Sequence, residues 1–188
     1  MDERETLARD PHRLPVLAAL QKPIACDDEN ALAKYRVGGA ARPSNQRLDL
    51  LIEYVRTAER DGEPLRDDAV VRREIARLVT DAEVSRVLGL RVVAASMKGE
   101  KVPDTPPPTI ESSQYKLFAT EFSRRLANAS MDLAAPGSQL RVRTEAAPME
   151  GRAESTYRYT VIDTIGGGTS EVQKNIIARR ALGLPKNF

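Results

Sequence analysis

Six consecutive residues, Gly166-Gly167-Gly168-Thr169-Ser170-Glu171, carry the most suggestive chemistry in this chain. Three glycines allow the backbone to take positive φ and leave no side chain to keep a ligand away. The run Ser170-Glu171-Val172-Gln173 fits a capping box, with a hydroxyl at the N-cap and a Gln three residues on. Val172 and Ile176 recur at helical spacing, and Gly183 with Pro185 supplies a stop. A glycine loop therefore leads into a helix N-terminus, whose free N–H groups and positive dipole end suit a phosphate or other anion. The same pattern also serves as a tight turn that lets a helix pack closely. The residues alone leave both readings open.

Other site chemistries lack the residues they need. Cys26 is the only cysteine and His12 the only histidine, so an intrachain disulfide and a Cys/His metal cluster are excluded. A Ser-His-Asp arrangement would have to use His12, which lies in a proline-interrupted stretch. The 29 basic and 27 acidic residues give a net charge of +2 and are interleaved, so no field selects nucleic acid. No apolar run reaches the ~20 residues that span a bilayer, and the charged N-terminus has no signal-peptide core. A protein without membrane or nucleic-acid partners, located in the cytoplasm, is expected.

The elements that must position the loop read as helices. Residues 1–43 form a weakly patterned arm, broken by Pro11, Pro15, Pro23 and Pro43, with short helices expected at 14–20 and 30–35. Leu48, Leu51, Ile52 and Val55 then mark an apolar stripe that predicts a helix over 44–60. After a turn at Asp61-Gly62-Glu63-Pro64, Asp67 or Asp68 caps a longer helix. Its stripe is Val71, Ile75, Leu78, Ala82, Ser85, Gly89, Val92 and Ser96, in steps of four and three, which marks near-parallel helix packing. Residues 98–108 read as a loop, with Thr109 as the next cap. Tyr115, Phe118, Phe122, Leu126, Ala129 and Leu133 stripe the third helix, an aromatic pattern that belongs to a core before a cofactor. A loop over 136–152, a short helix over 153–164 and the helix from Ser170 to about Leu182 complete the chain. No two-residue alternation is sustained, so strands are not expected. The fold class is all-α, an up-down bundle of four main helices.

The string Gly-Gly-Thr-Ser-Glu-Val-Gln-Lys-Asn-Ile-Ile-Ala, continued through Ala181-Leu182-Gly183-Leu184-Pro185, resembles the C-terminal signature of acyl-CoA dehydrogenases. Lys116-Leu117-Phe118-Ala119-Thr120-Glu121 is similar to another helix of that family. The resemblance covers residues 44–188 and implies the family's C-terminal helical domain. Its N-terminal helical domain and middle β-domain have no counterpart in this sequence.

In the family a glutamate abstracts the α-proton of an acyl-CoA thioester while FAD takes a hydride from the β-carbon. One branch carries that glutamate at the position of Gly167, and glycine cannot act as a base. Another carries it in a Glu-Arg pair near the first long helix, where Glu29 is the nearest carboxylate. No catalytic base is therefore assigned, and Glu29 stands as a candidate. The resemblance assigns Thr169, Ser170 and Glu171 to the ADP portion of FAD and Gly168 to the substrate. The family's Gln-x-x-Gly-Gly-x-Gly loop is replaced, with Asp132 near the Gln and Ala135-Pro136-Gly137 at the glycines. Its Arg-x-x-Phe-Gly is represented only by Arg60. The implied partners are acyl-CoA, an electron-transfer flavoprotein, and homo- or hetero-oligomeric acyl-CoA dehydrogenase subunits in fatty acid or lipid catabolism. The sequence implies a shortened flavoprotein chain that is inactive alone, or a non-catalytic partner subunit or tetramerisation module.

Overall fold

A computed structural model describes residues 41–101 and 107–185. His12, Cys26, Glu29 and the two short helices expected in the arm lie outside the described residues. Among the described residues five α-helices follow one another: α1 (Ala41–Thr57), α2 (Ala69–Lys101), α3 (Thr109–Leu133), α4 (Arg152–Ile165) and α5 (Ser170–Arg180). The all-α expectation holds, with one small exception. Glu59–Arg60 (β1) and Glu63–Pro64 (β2) pair antiparallel in the register Glu59 to Pro64 and Arg60 to Glu63. Asp61 at φ 55° and Gly62 at φ 83° make the turn between them. Positive φ at both central residues is what an Asp-Gly hairpin turn supplies. Helix α1 therefore ends at Thr57, and the residues expected to extend it to Arg60 enter the hairpin.

Asp68, rather than Asp67, starts α2. Its carboxylate accepts from the Val70 N–H at 2.7 Å and the Val71 N–H at 3.3 Å. The 33-residue helix is about 50 Å long. It runs to Lys101, past the expected loop start at Lys98. Val71, Leu78, Ser85, Gly89 and Val92 are buried along one face, as the spacing predicts. Leu48, Leu51 and Val55 of α1 meet Val71 and Leu78 of α2 and Phe122, Leu126 and Ala129 of α3 in the main core. A half-buried ion pair adds a polar staple between α2 and α3. Arg125 donates to Asp81 at 2.9 Å, and its guanidinium lies 5.5 Å from the centre of the Phe118 ring.

Helix α3 is the centre of the bundle, packed against α1, α2, α4 and α5. Phe122 and Leu126 belong to the core, while Ser113, Thr120, Ser123 and Ser130 are buried polar positions. Thr120 and Ser130 donate back to the carbonyls of Lys116 and Leu126, at 2.9 Å and 2.8 Å, which satisfies them inside the helix. Thr109 is not the cap of α3: Pro108 holds that position, and the Thr109 hydroxyl accepts from Arg180 at 2.8 Å. Two 3-10 turns, Gly137–Gln139 and Pro148–Gly151, order the stretch expected as loop. Among the described residues no helix is long and apolar enough to cross a membrane.

The capping assignment yields a discriminating test. Asp68→Ala should cost about 1 kcal/mol in denaturant unfolding, because two N–H groups lose their acceptor. Asp67→Ala should change the midpoint little. The reverse order would move the cap back to Asp67.

Candidate functional site

The loop between α4 and α5 is built from backbone that only glycine tolerates easily. Gly167 has φ 71° and Gly168 φ 97°. A Cβ on Gly168 would lie 2.8 Å from Gln173 Nε2, whereas one on Gly167 meets nothing within 4 Å. The carbonyls of both residues are held by side chains. Gln173 Nε2 donates to the Gly167 oxygen at 2.9 Å and to the Gly168 oxygen at 3.5 Å. Lys116, from the middle of the bundle, donates its ammonium to the Gly168 oxygen.

The helix start differs by one residue from the sequence expectation. Thr169, extended at φ −62° and ψ 165°, is the N-cap, and its hydroxyl oxygen accepts from the Val172 N–H at 3.4 Å. Ser170 is the first helical residue. Its hydroxyl donates instead to Glu121 Oε1 at 2.7 Å, where a partly buried carboxylate needs a donor. The Gln173 amide turns to the glycine carbonyls, so the reciprocal half of the expected capping box does not form. Glu171 accepts from its own N–H and from the Thr169 hydroxyl, which hold its carboxyl below the usual carboxylate range.

Lys116 sits among several charges. Burial pushes its ammonium below the ordinary lysine value, and the carboxylates of Asp163, Glu121 and Glu171 pull the other way. Asp163 accepts weakly from Ser123 at 3.5 Å, and Ser123 in turn accepts from Arg47 of α1 at 3.3 Å. Two open clefts flank this corner. One, of about 470 Å³, is lined by Thr109, Ser112, Lys116, Gly167, Gln173 and Arg180. The other, of about 430 Å³, is walled mainly by Leu88, Leu117, Phe118 and Ile177, with Arg91 and Lys174 contributing charge.

The structure thus brings Gly167, Gly168, Thr169, Ser170 and Glu171 to one corner. What the residues alone did not reveal is the support from elsewhere, Lys116 and Glu121 of α3, and the turn of Gln173 from capping box to glycine carbonyl. The available signal was the Lys116–Glu121 segment, singled out for its resemblance without a role. Arg60 shows a second unforeseen connection. Its guanidinium donates to the Leu133 carbonyl at 3.0 Å and the Asp132 carbonyl at 3.4 Å. It therefore closes the C-terminus of α3, where a cation also meets the negative dipole end.

For an anion, the fit is divided. Of the first N–H groups of α5, that of Glu171 is taken by its own carboxylate and that of Val172 by the Thr169 hydroxyl, which leaves the Ser170 N–H to suit a phosphate-bearing group. The side chains of Thr169, Ser170 and Glu171 are already hydrogen-bonded within the chain. Gly168→Ala should destabilise by about 1 to 3 kcal/mol, since it adds strain at positive φ to a clash. Gly167→Ala should cost about 1 kcal/mol, the φ penalty alone. Thermal unfolding of the two variants checks the order.

With that corner in view, the comparisons with known proteins are specific. The profile of the family described as "acyl-CoA dehydrogenase, C-terminal domain" matches residues 29–182. Acyl-CoA dehydrogenase FadE26 of Mycobacterium tuberculosis is 35% identical over 130 residues, covering 69% of this chain and 32% of that protein. Probable acyl-CoA dehydrogenase YngJ of Bacillus subtilis is 26% identical over 135 residues, 72% of this chain and 32% of that protein. Among solved structures, the ChsE4–ChsE5 complex from Mycobacterium tuberculosis superposes with a TM-score of 0.69 at 28% identity. That match covers 79% of this chain and 36% of the other. The glutaryl-coenzyme A dehydrogenase complex with glutaryl-CoA shares the fold, with a TM-score of 0.65 at 22% identity. It covers 80% of this chain and 35% of the other. The chain spans about a third of the length of the relatives it matches. It belongs to the acyl-CoA dehydrogenase family, whose C-terminal helical domain it carries.

Proposed function

We propose that this chain supplies the C-terminal helical domain of an FAD-dependent acyl-CoA dehydrogenase. By itself it would neither hold FAD tightly nor turn over. The observation that carries this reading is the glycine loop delivering the N–H end of α5 at one corner, with its carbonyls drawn inward. Bound FAD would supply the hydride acceptor for α,β-dehydrogenation of an acyl-CoA thioester, with an electron-transfer flavoprotein as the electron outlet. Toward FAD this chain would offer Thr169, Ser170 and Glu171 at the ADP side, chiefly through the backbone N–H groups of Thr169 and Ser170, because the Glu171 N–H is held by its own carboxylate. Gly168 would stand beside the substrate. Gly167 offers no carboxylate where one branch of the family carries its base, and Glu29 is the candidate that the other branch suggests. Proton abstraction would otherwise depend on a residue contributed by another chain.

A second reading, a non-catalytic partner subunit or assembly module, is favoured by the surface of α4. Its buried residues are Ala153, Thr156 and Thr160. The large apolar ones point the other way: Tyr157, Val161, Ile162 and Ile165 are 47% to 61% exposed. A helix with an apolar face turned from its own core suits a subunit contact. The match to a two-component complex, ChsE4–ChsE5, supports hetero-oligomeric assembly as the form this contact takes.

Purified protein separates the readings. The chain alone should elute colourless and give no dye reduction with acyl-CoA. Stoichiometric yellow flavin with turnover would overturn the proposal. Light scattering behind size exclusion, alone and with a full-length relative, tests the contact. Assembly should weaken in Val161→Glu/Ile165→Glu, while a wild-type monomer indifferent to the relative removes the module reading.

A further inference from the structure

The peptide planes of the glycine loop are set from outside it. Across a planar trans peptide, the carbonyl of one residue and the N–H of the next point in opposite directions. The Gly167 carbonyl is taken by Gln173 and the Gly168 carbonyl by Lys116, with Gln173 at a longer 3.5 Å from the latter, all from the protein side of the loop. The N–H groups of Gly168 and Thr169 are consequently turned away from those donors. Had the carbonyls faced out, two negative dipole ends would stand beside the positive end of α5. Gln173 belongs to the same helix and follows the loop by five residues. Lys116 is the long-range member, 52 residues from its acceptor, and comes from the helix on which the bundle is built.

We propose that Lys116 is a positioning residue. Its ammonium, reaching from α3 to the Gly168 carbonyl, fixes the orientation of the Gly168–Thr169 peptide and with it the outward N–H face of the loop. The inference deepens the proposed flavin contact and rests on it only for what those N–H groups meet. The orientation itself is a property of this chain. An ordinary ion pair does not account for the placement, because among the described residues Lys116 forms none. Its neighbours are Asp163 on α4, Glu121 on α3 and Glu171 on α5, and Arg180 of α5 lines the same cleft. Burial holds the ammonium below the ordinary lysine value, the three carboxylates oppose that only in part, and the carbonyl accepts its N–H. Apolar replacement removes that donor, while arginine keeps both charge and N–H groups.

The experiment is amide exchange and carbonyl NMR on the full chain without flavin, so an absent flavin affinity leaves it readable. Two hydrogen-bonded amides bracket the loop, Gly166 donating to Ile162 and Gln173 donating to Thr169. In Lys116→Met their exchange should quicken roughly tenfold, as expected on losing a charge-assisted hydrogen bond. The amides of Phe122 and Leu126 should stay as they were. Lys116→Arg should restore slow exchange at both bracketing positions. Unchanged exchange in the Met variant, a uniform rise across the bundle, or an Arg variant that behaves like Met would each overturn the proposal. Should the Met variant not fold, the native chain decides. Its Gly168 carbonyl carbon should titrate with a midpoint below the ordinary lysine value, because burial favours the neutral amine. That titration should be missing from Lys116→Arg. A Gly168 resonance that ignores the lysine's titration overturns the assignment.

Discussion

Helix α5 starts where it does because α3 meets the polar groups that a helix start and a glycine loop would otherwise leave bare. Two residues of α3, five positions apart and of opposite charge, divide that task. Lys116 donates to the Gly168 carbonyl, and Glu121 accepts from the Ser170 hydroxyl. Neither could do so from a flexible element. Helix α3 packs against four other helices, and the hydroxyls of Thr120 and Ser130 are satisfied by its own carbonyls. The long polar side chains are then free to reach across. Rigidity at the centre of the bundle becomes geometry at its edge.

The rest of the packing keeps that central helix in place with few aromatic residues. Among the described residues Phe122 is the one aromatic side chain almost wholly enclosed, with Leu51, Leu78, Leu126 and Val71 the other largest fully buried side chains. Such side chains interlock at small spacing, which suits helices that run nearly along one another. Between α3 and α4 the contact is of another kind. Ala153, Thr156 and Thr160 are the residues α4 turns inward, so the two backbones can approach closely. The bulky side chains of α4 are left on the outside.

That inversion explains why parts of this molecule were legible in its sequence and parts were not. The stripe of α2 was readable because a run of alternating four- and three-residue steps has one solution, and its Val71, Leu78, Ser85, Gly89 and Val92 are indeed buried. The Tyr157–Ile165 stretch has helical periodicity too, but periodicity does not say which face is covered. Small residues as the inward face can be recognised only against their neighbour. The caps were shifted by single residues for a related reason. Thr169 and Ser170 carry the same hydroxyl, and what separates them is Glu121, 49 residues away and invisible to a local pattern. The turn at Asp61-Gly62 was readable locally, but its strands are two residues each, too short to show alternation.

Arg60 carries the same lesson into the site. In sequence, two departures from the family pattern stand 72 residues apart, Arg60 without its Phe-Gly partner and Asp132 with Ala135-Pro136-Gly137 in place of a glycine loop. In the fold they meet, since Arg60 donates to the carbonyls of Asp132 and Leu133. A guanidinium closing a helix C-terminus satisfies carbonyls that would otherwise face water or a buried surface, and its charge complements the dipole there. The same cation cannot be fully available to a phosphate while it holds that position. A ligand phosphate would have to outbid two carbonyls and a helix dipole for Arg60, and would find the side chains of Thr169, Ser170 and Glu171 already engaged. On the proposed reading, the affinity left to this chain for FAD rests on the backbone N–H groups ahead of α5. The orientation of those groups is what the contact between Lys116 and Gly168 determines.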